Sequence, residues 1–518
     1  MSSQSISVRA LYATLLLVLV GVTACAPSTA APTPAPAVPA AVETDRAEVL
    51  ERHLTSDAIF RHIAHLASDE MRGRDTPSPE LEEAARYIAD HFRASGIGPA
   101  GDGDDDYFQR WDFERLEVDR TRTRLSGDGP GVAGDWRYGT DFFAIPSPPT
   151  PVSGPPFFLG TPERLSAGLP SEAGGRLLMA YLPEGLGPEF GMVIQAAMQV
   201  GSPGVLLLLD PDTDGAEIFQ IAAALEGGAA GQLPIPVFGL AWEAWSPLLE
   251  SVGVVPDDPE FEPRLLEDLS FSMESAFAPR SDEVSNVVGI VRGSDPALAG
   301  TYIVLTAHFD HVGVGPPDAT GDSIFNGADD NASGTAALMQ IGAALAALPT
   351  APRRSIVLLA VSGEEKGLLG SAYYAEHPTV PGEDIIANIN LDMIGRNHPD
   401  TLHAIGEEFT TIGALAHRVA REHPELGLVL APDPAPEEQA FLRSDHFSFV
   451  EKGIPALFFT TWLHDDYHLP SDTPDLIDQD KTARVARLVF HLTLEIANSD
   501  GEPRWTEEGR ALLSQLGF

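Results

Sequence analysis

Cysteine is nearly absent: Cys25 is the single thiol in 518 residues. No intramolecular disulfide can form, so outside a reducing compartment the fold must rest on packing and on any metal it holds. Basic residues are scarce too, with 32 Lys and Arg against 76 Asp and Glu and a formal net charge of −44. This balance excludes nucleic acid as a partner bound through its phosphates, because such binding depends on basic contacts. It suits a cationic or amine-bearing partner, or serves general solubility. The sequence also lacks a long apolar run. Its most hydrophobic stretch, residues 11–22, is well short of the ~20 residues a membrane-spanning helix requires. No internal repeat is present. The hydrophobic fraction of 43% is ordinary for a globular protein, and the length leaves room for a large core and two domains.

What is present is a set of metal-ligand residue types, each just after a short apolar, β-branched run. Residues 302–307 read as a strand ending in His308-Phe309-Asp310-His311. Alternation along a strand puts His308 and Asp310 on one face at its carboxyl end. His308 there is a metal ligand whose other ring nitrogen donates to Asp310, or the two are a plain hydrogen-bonded pair. Residues 355–361 lead into Ser362-Gly363-Glu364-Glu365, residues 385–391 into Asp392, and residues 456–460 into a segment carrying His464, Tyr467 and His468. In an open α/β sheet the carboxyl ends of the strands form the ligand crevice, so these side chains are expected to converge.

Five motifs occur in order: AHFDH at 307–311, GADDNASG at 327–334, SGEEKGLLGS at 362–371, NLDMIG at 390–395 and DYHLPSDT at 466–473. Together they resemble the M28 family of di-zinc metallopeptidases, the bacterial aminopeptidase group, over most of residues 280–500. The resemblance implies an α/β fold with a mixed, mostly parallel central sheet flanked by helices, of the zinc exopeptidase type. It implies His308 and Asp392 as terminal ligands of one zinc, Glu365 and His468 as terminal ligands of the other, and Asp330 as the bridge. Glu364 is then the general base, and Tyr467 matches a tyrosine that donates to the developing oxyanion in some members. It further implies a cis peptide after Asp330. Asp445 is expected as a support and His446 as a structural histidine. His464 is the rival of His468, which its place beside Tyr467 and before Ser-Asp-Thr favours. His311, His377, His398 and His403 are expected on the surface or in loops.

The chemistry agrees with this set. Asp330, Glu365 and Asp392 return three of the four positive charges of two divalent ions, which leaves a field that favours one hydroxide. Nitrogen and oxygen ligands without thiolate suit zinc, with cobalt or manganese as substitutes. With Glu365 on metal, Glu364 beside it is free to move a proton. The expected activity is aminopeptidase removal of residues from peptide or protein N-termini. Carboxypeptidase or glutaminyl-cyclase chemistry on the same scaffold is one alternative, and a non-catalytic binding protein is another.

The remaining segments set the organisation. Residues 1–24, with Arg9 before the apolar run and Val22-Thr23-Ala24-Cys25 at its end, read as a lipoprotein signal peptide. They predict export and a membrane anchor through a lipid on Cys25, on the periplasmic or cell-surface side. Residues 25–45, rich in Ala and Pro, read as a tether. Residues 46–146 are the first part of the peptidase domain, with a helix capped by Ser56-Asp57 and another over about 79–96. The loop around Asp69 to Arg74 is expected to be an ion-pair cluster. Gly101 to Asp106 is acid-rich but lacks the calcium-loop pattern. Prolines from Pro146 open an inserted, smaller α/β or β-rich domain at 147–282, which resembles a protease-associated domain. Residues 283–500 are the catalytic part, closed by a helix over 482–496, and 501–518 are an acidic tail.

Overall fold

The computed structural model describes residues 40–183, 189–211, 213, 215–226, 232–256, 258 and 261–518. The signal sequence and Cys25 lie outside the described residues. So does most of the tether, whose last residues already belong to the helix Ala40–His53.

The chain forms two compact units, Arg115–Arg280 and Ala41–Glu114 with Ser281–Phe518. The first begins some thirty residues before the proline-rich stretch expected to open it. Its early strands explain why. Arg124–Gly129 pairs with Ser270–Glu274, and Phe142–Ile145 pairs with Val237–Leu240, so the segment before Pro146 is tied by hydrogen bonds to the far end of the same unit. Among its described residues this unit has a six-stranded and a four-stranded sheet. The expected strands near 177, 205 and 237 are present. The helix Trp242–Ser251, not anticipated, is interrupted in its pattern by Pro247.

The second unit carries the ligand-type residues. Its sheet has a parallel centre in the order Ser355–Val361, Tyr302–His308, Ile385–Leu391, Ala456–Thr460. Antiparallel neighbours flank it: Phe277–Val291 on one side and Thr401–Ile405 on the other. The four central strands are buried on both faces, which is why their sequences are continuously apolar. Alternation divides them. Ile303, Leu305, Ile356 and Leu358 join a core with the helices Ser56–Leu66, Pro79–Ala94, Gly334–Ala346 and Gln479–Asn498. Val304, Val357 and Leu359 face Tyr374 and Phe449 from the helices Leu369–Glu376 and His446–Val450.

Local signals set the helix ends. Thr55, one residue before the expected pair, caps the first of these helices by accepting from Ala58 N, and Ser78 caps the second. Asp478 caps the closing helix, which therefore starts at Gln479 rather than 482. The expected acidic tail is structured: Glu507–Leu516 is a helix, and Trp505 donates to Gly453 O at 2.8 Å and packs with Leu512 and Leu513 against Phe441 and Phe458.

Candidate metal centre

Because the central strands run parallel, their carboxyl ends share one edge, and His308, Glu364, Glu365, Asp392 and His468 all leave from it. Asp330 comes from the turn Ala328–Ser333 that leads into Gly334–Ala346. This turn is held from several sides. The Asp472 carboxylate accepts the main-chain N–H of Asp329 at 3.0 Å and of Asp330 at 3.1 Å. Asn331 donates to Leu391 O at 2.9 Å and accepts from Gly334 N at 2.9 Å, tying the turn to the strand that ends at Asp392. The Asp330–Asn331 peptide is cis, as the resemblance implied.

The two oxygens of Asp330 face different partners. Oδ1 lies 3.3 Å from His308 Nε2, which is also 3.3 Å from Asp392 Oδ1. Oδ2 lies 3.1 Å from His468 Nε2, which is also 3.1 Å from Glu365 Oε2. Two groups of three donors thus meet at one carboxylate. Donors bound tetrahedrally to one zinc at about 2.0–2.2 Å stand roughly 3.3 Å apart, so these separations fit such an ion in each group. Glu364 falls with His308 and Asp392, and His311 with Asp330, Glu365 and His468.

Charge is concentrated here. Burial favours neutral forms, yet hydrogen bonds from His308 and His468 hold Asp330 well below the usual carboxylate range. Against burial, His468 brings Glu365 down to about 2, while Glu365 and Asp330 lift His468 to about 10. Glu364 goes the other way: burial first, then Glu365, Asp445 and Asp392, push its carboxyl well above the ordinary value. Burial also raises the Tyr467 phenol, which Asp330 and Glu365 raise further. Adjacent glutamates therefore differ in proton affinity because they face different neighbours.

Asp310 is close to His308 but not placed as expected. Its carboxylate oxygen is 3.7 Å from His308 Nδ1, whereas its main-chain oxygen is 3.3 Å away. The carboxylate instead accepts from Thr76 Oγ1 at 3.1 Å and Glu364 N at 3.3 Å, so it positions the glutamate loop. His464 lies 3.5 Å from Asp329 and outside both donor groups. Tyr467 stacks on the His468 ring, with centroids 3.9 Å apart and planes at 19°. A pocket lined by Glu364, Tyr467, Arg443, Ala440, Phe458 and Trp462 opens on Asp330 and Asp392.

Several participants escaped the sequence reading. His311, expected on the surface or in a loop, is buried, with Nδ1 2.8 Å from Glu365 Oε1. Ser444, not its neighbour Asp445, supports Asp392, donating to Oδ2 at 2.7 Å, and is itself held by Asn390. Arg74 is fully buried and makes hydrogen bonds to main-chain oxygens of Leu66, Phe309, Asn326 and Gly327 in place of the expected ion pairs. The position of His311 within AHFDH was the one available signal. The others have none in spacing.

Residues 286–493 match the model described as Peptidase family M28, and every donor named above falls inside that segment. The matched segment is about two fifths of the chain. It is 28% identical over 260 residues to a probable zinc metalloprotease of Leptosphaeria maculans, covering 43% of this chain and 59% of that protein. It is 26% identical over 226 residues to aminopeptidase YwaD of Bacillus subtilis, covering 42% and 46% respectively. The chain thus spans about half the length of the curated relatives it matches. Among solved structures, an aminopeptidase from Aneurinibacillus sp. strain AM-1 aligns with a TM-score of 0.61 at 19% identity, covering 88% of this chain and 97% of that one. The zinc aminopeptidase BSAP from Bacillus subtilis aligns with a TM-score of 0.56 at 17% identity, covering 86% and 96%. These likenesses show the fold of this chain, α/β with a mostly parallel central sheet.

Proposed function

We propose that the chain is a zinc metallopeptidase of the M28 type that removes residues from peptide N-termini. The observation that carries this reading is the split of the Asp330 carboxylate, one oxygen toward His308 and Asp392 and the other toward His468 and Glu365. On this reading His308, Asp392 and Asp330 would hold one zinc, and Glu365, His468 and Asp330 would hold a second. Bound zinc supplies Lewis acidity and makes water a better nucleophile at neutral pH.

The chain supplies the rest. Glu364, lining the same pocket, takes a proton from the attacking water on its carboxylate and returns it to the leaving amine nitrogen. Its raised proton affinity suits a group that must hold the proton between those events. Tyr467 keeps its phenolic proton and is placed to donate to the oxyanion that forms at the scissile carbonyl. Asp310 holds the Glu364 main chain, and Ser444 holds Asp392.

A peptide panel with free, acetylated and amidated ends tests this. Acetylating the N-terminus should abolish cleavage, and amidating the C-terminus should not. Equal cleavage of both sinks the N-terminal assignment, and cyclisation of N-terminal glutamine without hydrolysis sinks the peptidase reading. Export with lipid attachment at Cys25 is a separate proposal, supported by residues 11–25. Labelled fatty acid should enter the native chain and not Cys25→Ser.

A further inference from the structure

His311 is not among the five ligands, yet it is enclosed by them. Its ring is buried, Nδ1 is 2.8 Å from Glu365 Oε1 and 3.7 Å from Asp330 Oδ2, and the ring meets His468 edge-on with centroids 5.4 Å apart. An ionised carboxylate can only accept, so Nδ1 carries the proton. Nε2, also buried, has no hydrogen-bond partner among the described residues. The separation from Glu365 is that of a charge-assisted hydrogen bond and shorter than the spacing of donors within either group.

The surroundings are built to seat this ring. Gly327 has φ +60, and a Cβ there would stand 2.5 Å from the imidazole carbons, so a glycine is required. The His311 main-chain N–H donates to Arg74 O at 3.3 Å, and Arg74 in turn is anchored to the main-chain oxygens of Phe309, Asn326 and Gly327. The other donor group uses a different device for the same purpose: Ser444 occupies Asp392 Oδ2 and leaves Oδ1 toward His308.

We propose that His311 is a positioning residue for the metal position on the His468 side, holding Glu365 Oε1 so that Oε2 alone is presented beside His468 and Asp330. The inference rests on the two-ion reading above. It predicts an asymmetry: removing the donor weakens one ion and leaves the ion on the His308 side as it was. Outer partners of metal ligands typically change affinity by about 10- to 100-fold.

The test uses His311→Leu, which fills space without a donor, and His311→Asn, whose amide nitrogen stands as many bonds from Cα as Nδ1 does. The full chain, stripped of metal, is titrated with zinc alone by calorimetry and with cobalt by visible absorption, and thermal melts of the metal-free proteins verify the fold. Native protein should take up two ions. His311→Leu should bind one of them about 10- to 100-fold more weakly with the other unchanged, and His311→Asn should recover most of the loss. Native-like binding of both ions by His311→Leu overturns the assignment, as does a His311→Asn variant no better than His311→Leu. Fewer than two ions on the native chain overturns the two-ion reading itself and the inference with it.

Discussion

Glu364 and Glu365 are joined by one peptide bond and do different work. Glu365 meets two imidazoles and stays ionised. Glu364 meets carboxylates in a buried position and holds its proton more tightly. Glu364→Gln keeps the size and removes the proposed base. Turnover should fall by about 10²–10⁴-fold with metal content unchanged, measured as kcat beside elemental analysis. Near-native turnover would remove Glu364 from the role of base. Arg74 is the structural counterpart. Burial draws its guanidinium down to about 10, and it still donates to four main-chain oxygens. Arg74→Leu should lower unfolding stability by at least about 3 kcal/mol in denaturant titration, because buried carbonyls lose their donors. The five proposed ligands were legible because each sits in a recognisable motif, four of them after a strand-like run and Asp330 in the turn before a helix. His311, Ser444, Asp472 and Arg74 were not, because their partners lie 54, 52, 142 and up to 253 residues away and nothing in local spacing announces them.

At the scale of the element, three packed helices couple packing to pH. His62 on Ser56–Leu66 sits with Nδ1 2.7 Å from Tyr87 Oη on Pro79–Ala94 and Nε2 2.7 Å from Gln340 Nε2 on Gly334–Ala346. Burial, then His91, Arg61 and His65, lower its imidazole to about 3. The unfolded chain takes this proton near pH 6.5 and the folded chain does not until about pH 3, so between those values the unfolded state binds more protons. Stability should therefore be full above pH 6.5 and fall as the pH drops toward 3. His62→Gln should show a shallower acid limb in melts taken from pH 7 to 4; an unchanged limb would show that His62 does not contribute. The helices themselves were readable from apolar periodicity. The cap of the first was misjudged by a residue because Thr55, Ser56 and Asp57 are all capping types, and only the backbone geometry selects Thr55. Proline content misplaced the boundary near 147 because hydrogen bonds between distant strands, not composition, enclose the unit from Arg115.

For the whole molecule the dominant fact is a net charge of −44. Such a chain repels itself at low ionic strength and attracts cations. Added salt shortens the screening length from ~30 Å at 0.01 M to ~3 Å at 1 M. Melting temperature should rise with salt while kcat/KM for peptides with a free, charged N-terminus falls, chiefly through a slower approach. A salt-independent melting temperature would mean that the acids are already compensated where they stand. Cys25 adds no cross-link, so these terms act on a fold held by its two main cores.

The sequence by itself determined the identity of the ligand-type residues and the kind of sheet that gathers them, because both follow from local patterns: apolar runs of strand length, with polar side chains at their carboxyl ends. Tertiary structure alone decided which oxygen of Asp330 faces which imidazole, that His311 rather than Asp310 hydrogen-bonds to a neighbouring ligand side chain, and that residues after 501 are packed. Those outcomes depend on atoms brought together from distant parts of the chain, where a shift of one ångström changes a hydrogen bond into an empty contact.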